Sequence, residues 1–387
     1  MSHIVQAQTD ILGINGWFLQ HPYTGIGQYT INLLKEFTKK DASKFLVVVP
    51  NEACVARMKQ EGIDLPAEIL PLLSCAPASI QKHWWEQVQL PGFFEKRALG
   101  GAGVQKVWLP YPCVTWLRKP TYTTIVTVHD TIPWTEKEYQ RGMLSALAHA
   151  MSRGAVKRAN TIITVSETSA ESISKVCDVP RETIHVILNG VADVFFEHVD
   201  PQEILQKYGL TQNNYFLYVG GYDIRKQVKK LVASYEEYSK TQLPATPSSF
   251  PLVLVGGQAQ EDHLYADFLT SQASGDTVKV VTTSFVSDDV LNALYEGCRA
   301  FLHFSRVEGF NVPAVQALVK NRPCVLSDIP VHREIAGEFA TYVNPDDPQS
   351  TAAVWRTLTA QPPASADNFP RDHYRWSRSA EQHLKVF

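Results

Sequence analysis

The chain has 387 residues, of which 44% are hydrophobic and 19% are charged. A single core rarely grows beyond about 250 residues, so this length predicts two or three domains, and the hydrophobic content excludes disorder along the whole chain. Thirty-six Lys and Arg residues against 39 Asp and Glu residues leave a formal net charge of -3. This charge provides no basic excess for the phosphates of nucleic acid, which is therefore excluded as an expected partner.

The six cysteines lie far apart and form no CxxC pair. Such spacing favours a reducing compartment and predicts no zinc site. The amino terminus lacks the basic segment and apolar stretch of a signal peptide, and no run of about 18 apolar residues occurs in the chain. We therefore expect a soluble, cytoplasmic protein.

Short apolar runs alternate with longer segments of helical character along the whole chain. This alternation is typical of parallel sheets with crossover helices, so the predicted fold class is α/β. Open sheets rarely exceed about ten strands, which favours two Rossmann-like sheets over one. The predicted strands are Asp10–Asn15, Phe45–Pro50, Val107–Leu109, Thr124–Val128, Thr161–Val165, Ile184–Leu188, Tyr215–Val219, Pro251–Val255, Val278–Val281, Ala300–Phe304, Pro323–Ser327 and Ala340–Val343.

The boundary between the two domains is predicted just after Asn189 and Gly190, a turn dipeptide. The first domain would comprise residues 1–194 and the second 195–365. Residues 366–387 would contain an amphipathic helix that crosses back to the first domain, with Trp376, Ala380 and His383 on its apolar face. The proline-containing segment 243–251 is predicted to be a surface loop.

Gly25 and Gly27 follow the first strand and open a helix whose apolar stripe includes Tyr29 and Phe37. Glycines at a strand-to-helix turn let the backbone approach a ligand, and the start of a helix favours anionic groups. Thr30 stands where the third glycine of a GxGxxG motif would fall. A tight turn with nothing bound is therefore an equally good interpretation.

His129 and Asp130 follow the strand Thr124–Val128, at the strand end where α/β folds bind ligands. His129 could donate a hydrogen bond to a sugar hydroxyl or a phosphate, and Asp130 could orient its ring or cap the next segment. A structural histidine with no ligand is the alternative.

Arg225 and Lys226 lie between the strand Tyr215–Val219 and a helix predicted to begin near Gln227, and Gly220 and Gly221 precede them. Two cations beside helix-start amides form a suitable site for a diphosphate, because arginine offers a planar fork and lysine a compact charge. A solvated basic turn is the alternative interpretation.

Glu308 lies in a loop between the buried strand Ala300–Phe304 and a helix with Pro313 in its first turn. The following Gly309 exposes the carboxylate together with neighbouring backbone amides. An exposed loop glutamate is usually only solvated. The Glu-Gly-Phe loop before a proline-started helix nevertheless favours a functional role.

Taken in order, these motifs resemble those of the retaining glycosyltransferases with the GT-B fold, specifically glycosyltransferase family 4. The resemblance implies two Rossmann-like doubly wound domains facing a cleft, with the nucleotide sugar held mainly by the second domain and the acceptor by the first. The similar segments span nearly the whole chain: TGIGQYTINLL, HWWEQVQLP, TVHDTIPW, TVSETSAESI, ILNGV, YVGGYDIRKQVKKLV, LVLVGG, SFVSDDVLNALYEGCRAFLHFS, EGFNVPAVQAL, PCVLSDIPVHREIAG and YVNPDDP.

The resemblance also implies roles for individual residues. Arg225 and Lys226 would bind and stabilise the leaving diphosphate in place of a metal ion, Glu308 would lie near the donor sugar, and His129 would contact the transferred sugar. No metal and no cofactor other than the nucleotide-diphosphate sugar is expected. The residues implied in donor binding are Gly25, Gly27, Gly221, Gly309, Phe310, Asn311, Val312 and Gln316.

Four positions depart from the family pattern. Gln316 replaces the second glutamate of the Glu-x7-Glu motif, and Asn311 replaces a glycine. Phe304 replaces a proline before the loop serine, and Gly221 stands where many members have an arginine. Gln316 can still accept a hydrogen bond from a ribose hydroxyl, so we expect altered affinity. Loss of activity is the alternative, and it would make the chain a nucleotide-sugar-binding partner of another transferase.

We therefore predict a retaining, metal-independent glycosyltransferase that moves a hexose from a nucleotide sugar to a saccharide or lipid-linked saccharide. A mannosyl donor such as GDP-mannose is slightly favoured. A nicotinamide oxidoreductase is disfavoured, because the GxGxxG motif and its ribose-binding acid are missing. The segment 82–97, with Trp84, Trp85 and Phe94 among basic residues, could contact the inner face of a membrane, although an internal helix is the preferred interpretation.

Overall fold

The computed structural model describes residues 10–73, 77–100, 103–140, 142–240, 250–256, 280–361 and 366–387. Its chain divides into two compact units. The first contains the described residues up to Gly190 together with Trp376–Phe387, and the second contains Val191–Arg375. The surface loop predicted at 243–251 lies outside the described residues except for its last two positions. In the described part of the chain, no helix has the length and apolar character needed to cross a bilayer.

The first unit is built on a parallel sheet with strand order β3-β2-β1-β4-β5-β6-β7. Each neighbouring pair in this sheet is parallel. The strands are β1 Ile11–Asn15, β2 Phe45–Val49, β3 Ala67–Ile69, β4 Val104–Leu109, β5 Thr123–Thr127, β6 Thr161–Thr164 and β7 Ile184–Val186. The helices of this unit before the crossing to the second unit are α1 Gly25–Thr38, α2 Glu52–Gln60, α3 Ala78–Trp84, α4 Leu90–Leu99, α5 Ile132–Thr135, α6 Gly142–Arg158 and α7 Glu167–Cys177.

The second unit contains a parallel sheet with strand order β10-β9-β8-β11-β12-β13. Its strands are β8 Phe216–Val219, β9 Leu252–Val255, β10 Val280–Thr283, β11 Ala300–His303, β12 Cys324–Ser327 and β13 Ala340–Val343. Its described helices are α8 Gln202–Lys207, α9 Val228–Lys240, α10 Asp288–Gly297, α11 Val312–Val319, α12 Pro330–Ala336 and α13 Pro348–Ala360. The last helix of the chain, α14 Trp376–Val386, belongs to the first unit.

These sheets confirm the α/β prediction of two Rossmann-like sheets. Each predicted strand has a counterpart, with described ends that differ by at most three residues, as at β4. The first two positions of the predicted strand Val278–Val281 lie outside the described residues. Strand β3 was not predicted, because its three residues Ala67, Glu68 and Ile69 lie at the sheet edge and show no continuous apolar run. An edge strand that is only half-buried lacks the hydrophobic signal on which sequence prediction depends.

Both sheets are doubly wound, so each has a point where the strand order reverses direction. In the first sheet this switch point lies between β1 and β4, and in the second it lies between β8 and β11. Loops after neighbouring strands diverge there and leave a crevice at the carboxyl edge, where α/β proteins bind ligands. The predicted glycine turn follows β1, and the loops that carry Arg225 and Glu308 follow β8 and β11.

The segment 82–97 is mostly internal. The side chains of Trp85 and Phe94 are fully buried in the core of the first unit, which corrects the hypothesis that they face a membrane. Trp84 is 43% exposed. Trp85–Gln89 forms a short π-helix between α3 and α4, and its wider turn changes which side chains point inward.

A directed chain of hydrogen bonds ties α14 to α1 and the sheet of the first unit. The Nδ1 atom of His383 donates to the carbonyl of Ser379 at 2.7 Å, because a carbonyl can only accept. His383 Nε2 therefore accepts from the Tyr29 hydroxyl at 2.6 Å. Tyr29 in turn lies 3.2 Å from the hydroxyl of Thr127, which accepts from Trp108 Nε1–H at 3.0 Å. All of these side chains are buried, so this series of hydrogen bonds fixes the position of α14 against α1 and the sheet.

This network predicts an acid-sensitive fold. Burial lowers the pKa of His383 from 6.5 to about 4. Between those pH values the unfolded chain binds a proton that the folded ring does not, so the free energy of unfolding falls as the pH falls. At about 1.4 kcal/mol per pKa unit, His383 alone accounts for a loss of about 3 kcal/mol by pH 4. Urea unfolding at pH 7, 6, 5 and 4 measures this loss.

The matched variant is His383→Gln, because glutamine can accept from Tyr29 but does not titrate. Its free energy of unfolding should depend less steeply on pH between 6.5 and 4 than that of the wild type. Equal slopes would show that His383 is protonated in the folded protein as readily as in the unfolded chain.

Candidate active site

The loop after β8 and the loop after β11 are joined by hydrogen bonds at the switch point of the second sheet. The backbone N–H of Arg306 donates to the carbonyl of Arg225 at 2.7 Å, and the hydroxyl of Ser305 lies 3.3 Å from the same carbonyl. These bonds connect two segments that are about 80 residues apart in the sequence. They bring the predicted cations and the predicted carboxylate into one place.

Arg225 and Lys226 lie in a single 3₁₀ turn, Ile224–Lys226, that precedes α9. Asp223 caps this turn: its Oδ1 accepts from the Arg225 N–H at 3.0 Å, and its carbonyl accepts from the Lys226 N–H at 2.8 Å. Asp223 thus satisfies the N–H groups of the turn itself, and the formal positive charge of the turn is that of the two side chains. The helix-start amides of the sequence prediction belong to α9, which begins at Val228.

Gly220 makes room for the Lys226 ammonium group. Its φ angle is +155°, and a Cβ atom added there would lie 3.1 Å from Lys226 Nζ and 2.9 Å from the Tyr218 hydroxyl. A Cβ at Gly256 would lie only 2.0 Å from the Gly220 carbonyl oxygen. Gly221 is exposed, and an added Cβ would meet nothing within 4 Å. Gly220 and Gly256 thus have packing reasons to be glycine, whereas Gly221 has none of this kind.

Glu308 is the centre of the cluster. Its Oε2 lies 2.6 Å from Arg225 Nη1, and its Oε1 lies 3.9 Å from Lys226 Nζ. The same Oε1 lies 3.3 Å from Nε2 of His303 and 3.1 Å from the Ser305 hydroxyl, whose single hydrogen is shared between this carboxylate and the Val307 carbonyl at 3.0 Å. The side chain of Glu308 is only 8% exposed, and those of Arg225 and Lys226 are 17% and 15% exposed. The carboxylate is therefore held by two cations and two neutral groups, largely out of water.

Burial and neighbouring charges shift the pKa values of the groups in this cluster. Burial alone would raise the pKa of Glu308, but Lys226, His303 and Arg225 together outweigh burial and hold that pKa well below its ordinary value. Burial lowers the pKa of Lys226, and Glu308 opposes this shift. Burial also lowers the pKa of His303 to about 4 against the hydrogen bond to Glu308. At neutral pH the cluster therefore contains an ionised Glu308 and a neutral His303.

Polar groups from β12 and α12 bind the two ends of the loop after β11. Ser327, at the end of β12, accepts from the Ser305 N–H at 2.9 Å and donates its hydroxyl to the Ser305 carbonyl at 2.6 Å. His332 Nδ1 donates to the Ser327 carbonyl at 2.8 Å, so its Nε2 accepts from the Asn311 side-chain amide at 2.8 Å. The loop is therefore anchored at both ends to fully buried side chains of the neighbouring strand and helix.

Asn311 caps α11 in a conformation that favours glycine. Its φ angle is +76°, in the left-handed region, and its side-chain oxygen accepts from the Ala314 N–H at 3.2 Å. Asparagine tolerates this region better than most residues. The departure from the family glycine is therefore accommodated by the asparagine itself and by its bond to His332.

The remaining residues of the predicted loop differ in which of their atoms a ligand could contact. Gly309 is buried, and the Phe310 ring packs in the core near Tyr374, with 6.2 Å between ring centroids. Only the backbone of Phe310 would be available to a ligand. Val312 begins α11 and is partly exposed. Gln316 lies one turn further along, and its side-chain oxygen accepts from the Tyr295 hydroxyl at 3.1 Å.

The predicted residues of the first unit lie at the carboxyl edge of its sheet: Gly25 and Gly27 follow β1, beside the switch point, and His129 follows β5. Helix α1 begins at Gly25, and the Thr24 hydroxyl caps it by accepting from the Gly27 N–H at 3.1 Å. A Cβ at Gly27 would lie 2.1 Å from the His21 carbonyl oxygen, whereas a Cβ at Gly25 would meet nothing within 4 Å. Gly27 is thus required by the turn, and Gly25 leaves open space at the helix start, where a ligand could approach the backbone.

His129 follows β5 with its ring edge-on to Tyr29, at 4.7 Å between centroids. Its Nε2 lies 3.0 Å from the Pro110 carbonyl, which can only accept, so Nε2 carries the ring hydrogen. Burial lowers the pKa of His129 to about 4, which keeps the ring neutral. The predicted donor atom is therefore already used, and Nδ1 is the nitrogen that could accept from a hydroxyl.

The structure thus brings Arg225, Lys226 and Glu308 together, and it places His129 in the other unit. Sequence reasoning did not identify His303, which lies inside an otherwise apolar strand and only five residues before Glu308. A histidine in such a strand beside an acidic loop was the available signal. Among the described residues, no group of three His, Cys, Asp or Glu side chains is arranged to hold a metal ion.

Comparison with protein families matches both units. A model described as "Glycosyltransferase Family 4" matches residues 23–193, and one described as "Glycosyl transferases group 1" matches residues 200–372. The chain is 30% identical over 245 residues to the O-antigen chain mannosyltransferase RfbU of Salmonella typhimurium, a match that covers 62% of each chain. It is 23% identical to the O-antigen chain mannosyltransferase B of Escherichia coli over 95% of this chain and 97% of that protein.

Solved structures agree on the fold. Anabaena Alr3699/HepE in complex with UDP superposes with a TM-score of 0.71 at 16% identity, over 97% of this chain and 99% of that chain. This likeness extends over nearly the whole of both chains, and the two Rossmann-like parallel sheets of this chain are those of the GT-B fold. The family matches cover both units and include the loops that carry the cation–carboxylate cluster. The chain therefore belongs to the family 4, or group 1, glycosyltransferases and is a glycosyltransferase enzyme.

Proposed function

We propose that this enzyme transfers a hexose, with mannose favoured, from a nucleotide-diphosphate sugar to a saccharide or lipid-linked saccharide, with retention and without a metal ion. The observation that carries this proposal is the convergence of Arg225 and Lys226 on Glu308 at the switch point of the second sheet. The mannosyltransferase names of two relatives support mannose, and GDP-mannose is the corresponding donor to test first.

The two cations suit the leaving group of such a transfer. As the bond between the sugar and the diphosphate breaks, negative charge grows on the diphosphate and positive charge grows on the anomeric carbon. Preorganised cations in a mostly buried site stabilise that charge more strongly than water does. The Arg225 guanidinium can grip two phosphate oxygens, and the Lys226 ammonium group adds a compact charge. This pair supplies the positive charge that a metal ion provides elsewhere.

Retention can proceed on one face of the sugar without a protein nucleophile. The acceptor hydroxyl would attack from the side on which the diphosphate leaves, and a departing phosphate oxygen would take the hydroxyl proton. The protein's part is then to hold the donor and to stabilise the leaving group. Nδ1 of neutral His129 would accept a hydrogen bond from a hydroxyl of the transferred sugar, since its Nε2–H is held by Pro110.

Lys226→Ala should lower kcat by about 100-fold or more, because one preorganised charge at the leaving group is worth that much in comparable sites. Lys229→Ala is the matched control, since Lys229 is exposed on the first turn of α9. Steady-state kinetics with the donor that the wild type uses measure both variants. Unchanged turnover in Lys226→Ala would show that this cation does not stabilise the leaving group.

Binding of GDP, UDP and ADP by titration calorimetry, followed by turnover of the matching sugar donors, tests the donor and the reaction class. We expect the tightest binding for GDP, turnover of GDP-mannose, and activity within about twofold when EDTA is added, because the diphosphate charge is met by side chains. Binding without turnover would favour the nucleotide-sugar-binding partner suggested by Gln316. Failure of all three nucleotides to bind would contradict both functions.

We also propose a membrane contact for the lipid-linked acceptor, through a surface of the first unit that we call the apolar patch: Ile80, Trp84, Trp116 and Leu117. Each of these side chains is 43–53% exposed. Ile80 and Trp84 lie four residues apart and share one face of α3. The Trp116 N–H donates at 3.0 Å to the side chain of Gln87, which lies about one helical turn after Trp84, so the two halves of the patch are close together.

Cations surround this patch. Arg118 and Lys119 continue the loop of Trp116, and Arg158 donates to the Trp116 carbonyl at 3.0 Å. Exposed aromatic and aliphatic side chains rimmed by basic groups are typical of proteins that lie on an anionic bilayer surface. The lipid-linked acceptor would be presented at that surface.

Trp84→Ser combined with Trp116→Ser should reduce sedimentation with anionic liposomes at low salt by about tenfold, because two interfacial aromatic side chains are lost. Leu147→Ser is the matched control, since Leu147 is an exposed leucine on α6 outside the patch. Absence of sedimentation by the wild type, or equal sedimentation of the double variant, would remove the membrane contact without affecting the proposed reaction.

A further inference from the structure

His303 is a buried polar residue inside an apolar strand. It occupies the last position of β11, is fully buried, and stacks with the rings of Tyr218 at 5.2 Å and Phe301 at 6.0 Å between centroids. Its Nε2 lies 3.3 Å from Glu308 Oε1. Because a carboxylate can only accept, Nε2 carries the hydrogen and donates to Glu308.

The other ring nitrogen of His303 has no hydrogen-bond partner among the described residues. A buried, unsatisfied nitrogen is unfavourable, and an apolar side chain at this position would avoid it. The position therefore carries a local energetic penalty that packing does not explain. Among the described residues, the hydrogen bond to Glu308 is the interaction of this ring that an apolar residue would lose.

A bound donor would change what surrounds Glu308. Arg225 Nη1 is shared between Glu308 Oε2 at 2.6 Å and the Val307 carbonyl at 3.0 Å. A pyrophosphate would bring negative charge that competes with the carboxylate for Arg225 and Lys226. If these cations turned to the phosphates, Glu308 would lose positive charge while its side chain stayed mostly buried. A buried carboxylate that loses its ion pair is strongly destabilised unless other donors hold it.

We propose that His303 is a positioning residue that, together with Ser305, holds the Glu308 carboxylate in place when the donor pyrophosphate draws Arg225 away from it. This inference rests on the proposed function of the same site. The hydrogen bonds from His303 and Ser305 strengthen as the carboxylate becomes less neutralised, and they keep its oxygens directed at the donor sugar.

The charged and titratable groups around His303 are compatible with a neutral imidazole ring that donates a hydrogen bond to Glu308. Glu308 Oε1 faces its Nε2, Lys226 Nζ lies 3.9 Å from that same oxygen, and the ring of His332 packs edge-on at 6.1 Å between centroids. The Tyr218 hydroxyl is turned away, because it donates to the Gly221 carbonyl at 2.7 Å. Burial and Lys226 both disfavour protonation of His303, so its role requires no change in its charge.

Three variants distinguish the effect of the hydrogen bond from the effect of ring packing on nucleotide binding. His303→Phe keeps an aromatic ring between Tyr218 and Phe301 but removes the donor, and His303→Gln restores an N–H group without a titrating ring. Phe301→Leu is the matched control, because it alters the stacking and leaves the hydrogen bond to Glu308 in place. The melting temperature and the circular dichroism spectrum show whether each variant is folded.

The probe is GDP, or UDP if the wild type binds UDP more tightly, measured by titration calorimetry. We expect about tenfold weaker binding by His303→Phe, because the nucleotide must release Glu308 from Arg225 with one donor missing. Binding by His303→Gln and Phe301→Leu should stay within about twofold of the wild type. These expectations follow from the strength of a hydrogen bond to a charged group.

A double-mutant cycle with Glu308→Ala decides whether the effect passes through the carboxylate. In the Glu308→Ala background, His303→Phe should cause no further loss of GDP affinity. The proposal is overturned by equal affinity of His303→Phe and wild type, by failure of glutamine to restore binding, or by a tenfold loss that persists without Glu308. Absence of nucleotide binding by the wild type itself would instead contradict the proposed function.

Discussion

The arrangement of the second unit's active site depends on a buried negative charge. Glu308 is almost entirely removed from water, so it has to be paired with positive charge and hydrogen-bond donors. Arg225 and Lys226 provide the charge from the loop after β8, and His303 and Ser305 provide donors from β11 and the loop after it. The carboxylate thereby fixes the positions of the Arg225 guanidinium and the Lys226 ammonium group.

The doubly wound sheets explain why this cluster forms where it does. Polar side chains are tolerated at the carboxyl edge of a parallel sheet because strand ends leave the core there, and the loops diverge at the switch point. The first unit uses the same geometry for Gly25 and His129. In the second unit the floor of the site is rigid, since Ser327 and His332 satisfy the loop backbone and the Asn311 side chain.

Much of the fold and part of the site could be predicted from the sequence. The strands were identified because buried parallel strands are continuous apolar runs, and β3 was missed because an edge strand of three half-buried residues is not. Arg225, Lys226 and Glu308 were identified because each follows a predicted strand. His303 was missed because a histidine within a strand has no pattern that distinguishes a core residue from one that holds a carboxylate. Phe310 was assigned to donor binding through its backbone amide, and this assignment is compatible with the burial of its ring.

Periodicity, turn residues and motif order were sufficient to predict two α/β units, the loop positions of Arg225, Lys226 and Glu308, and the family of the enzyme. These features are local, and local propensity and burial pattern act over a few residues. The pairing of Arg225 with Glu308, the tautomers of His129 and His303, and the hydrogen bond that joins α14 to Tyr29 of α1 required the tertiary structure. Each of them joins atoms whose separation and orientation depend on how the strands are ordered in the sheet, and no short stretch of sequence contains that information.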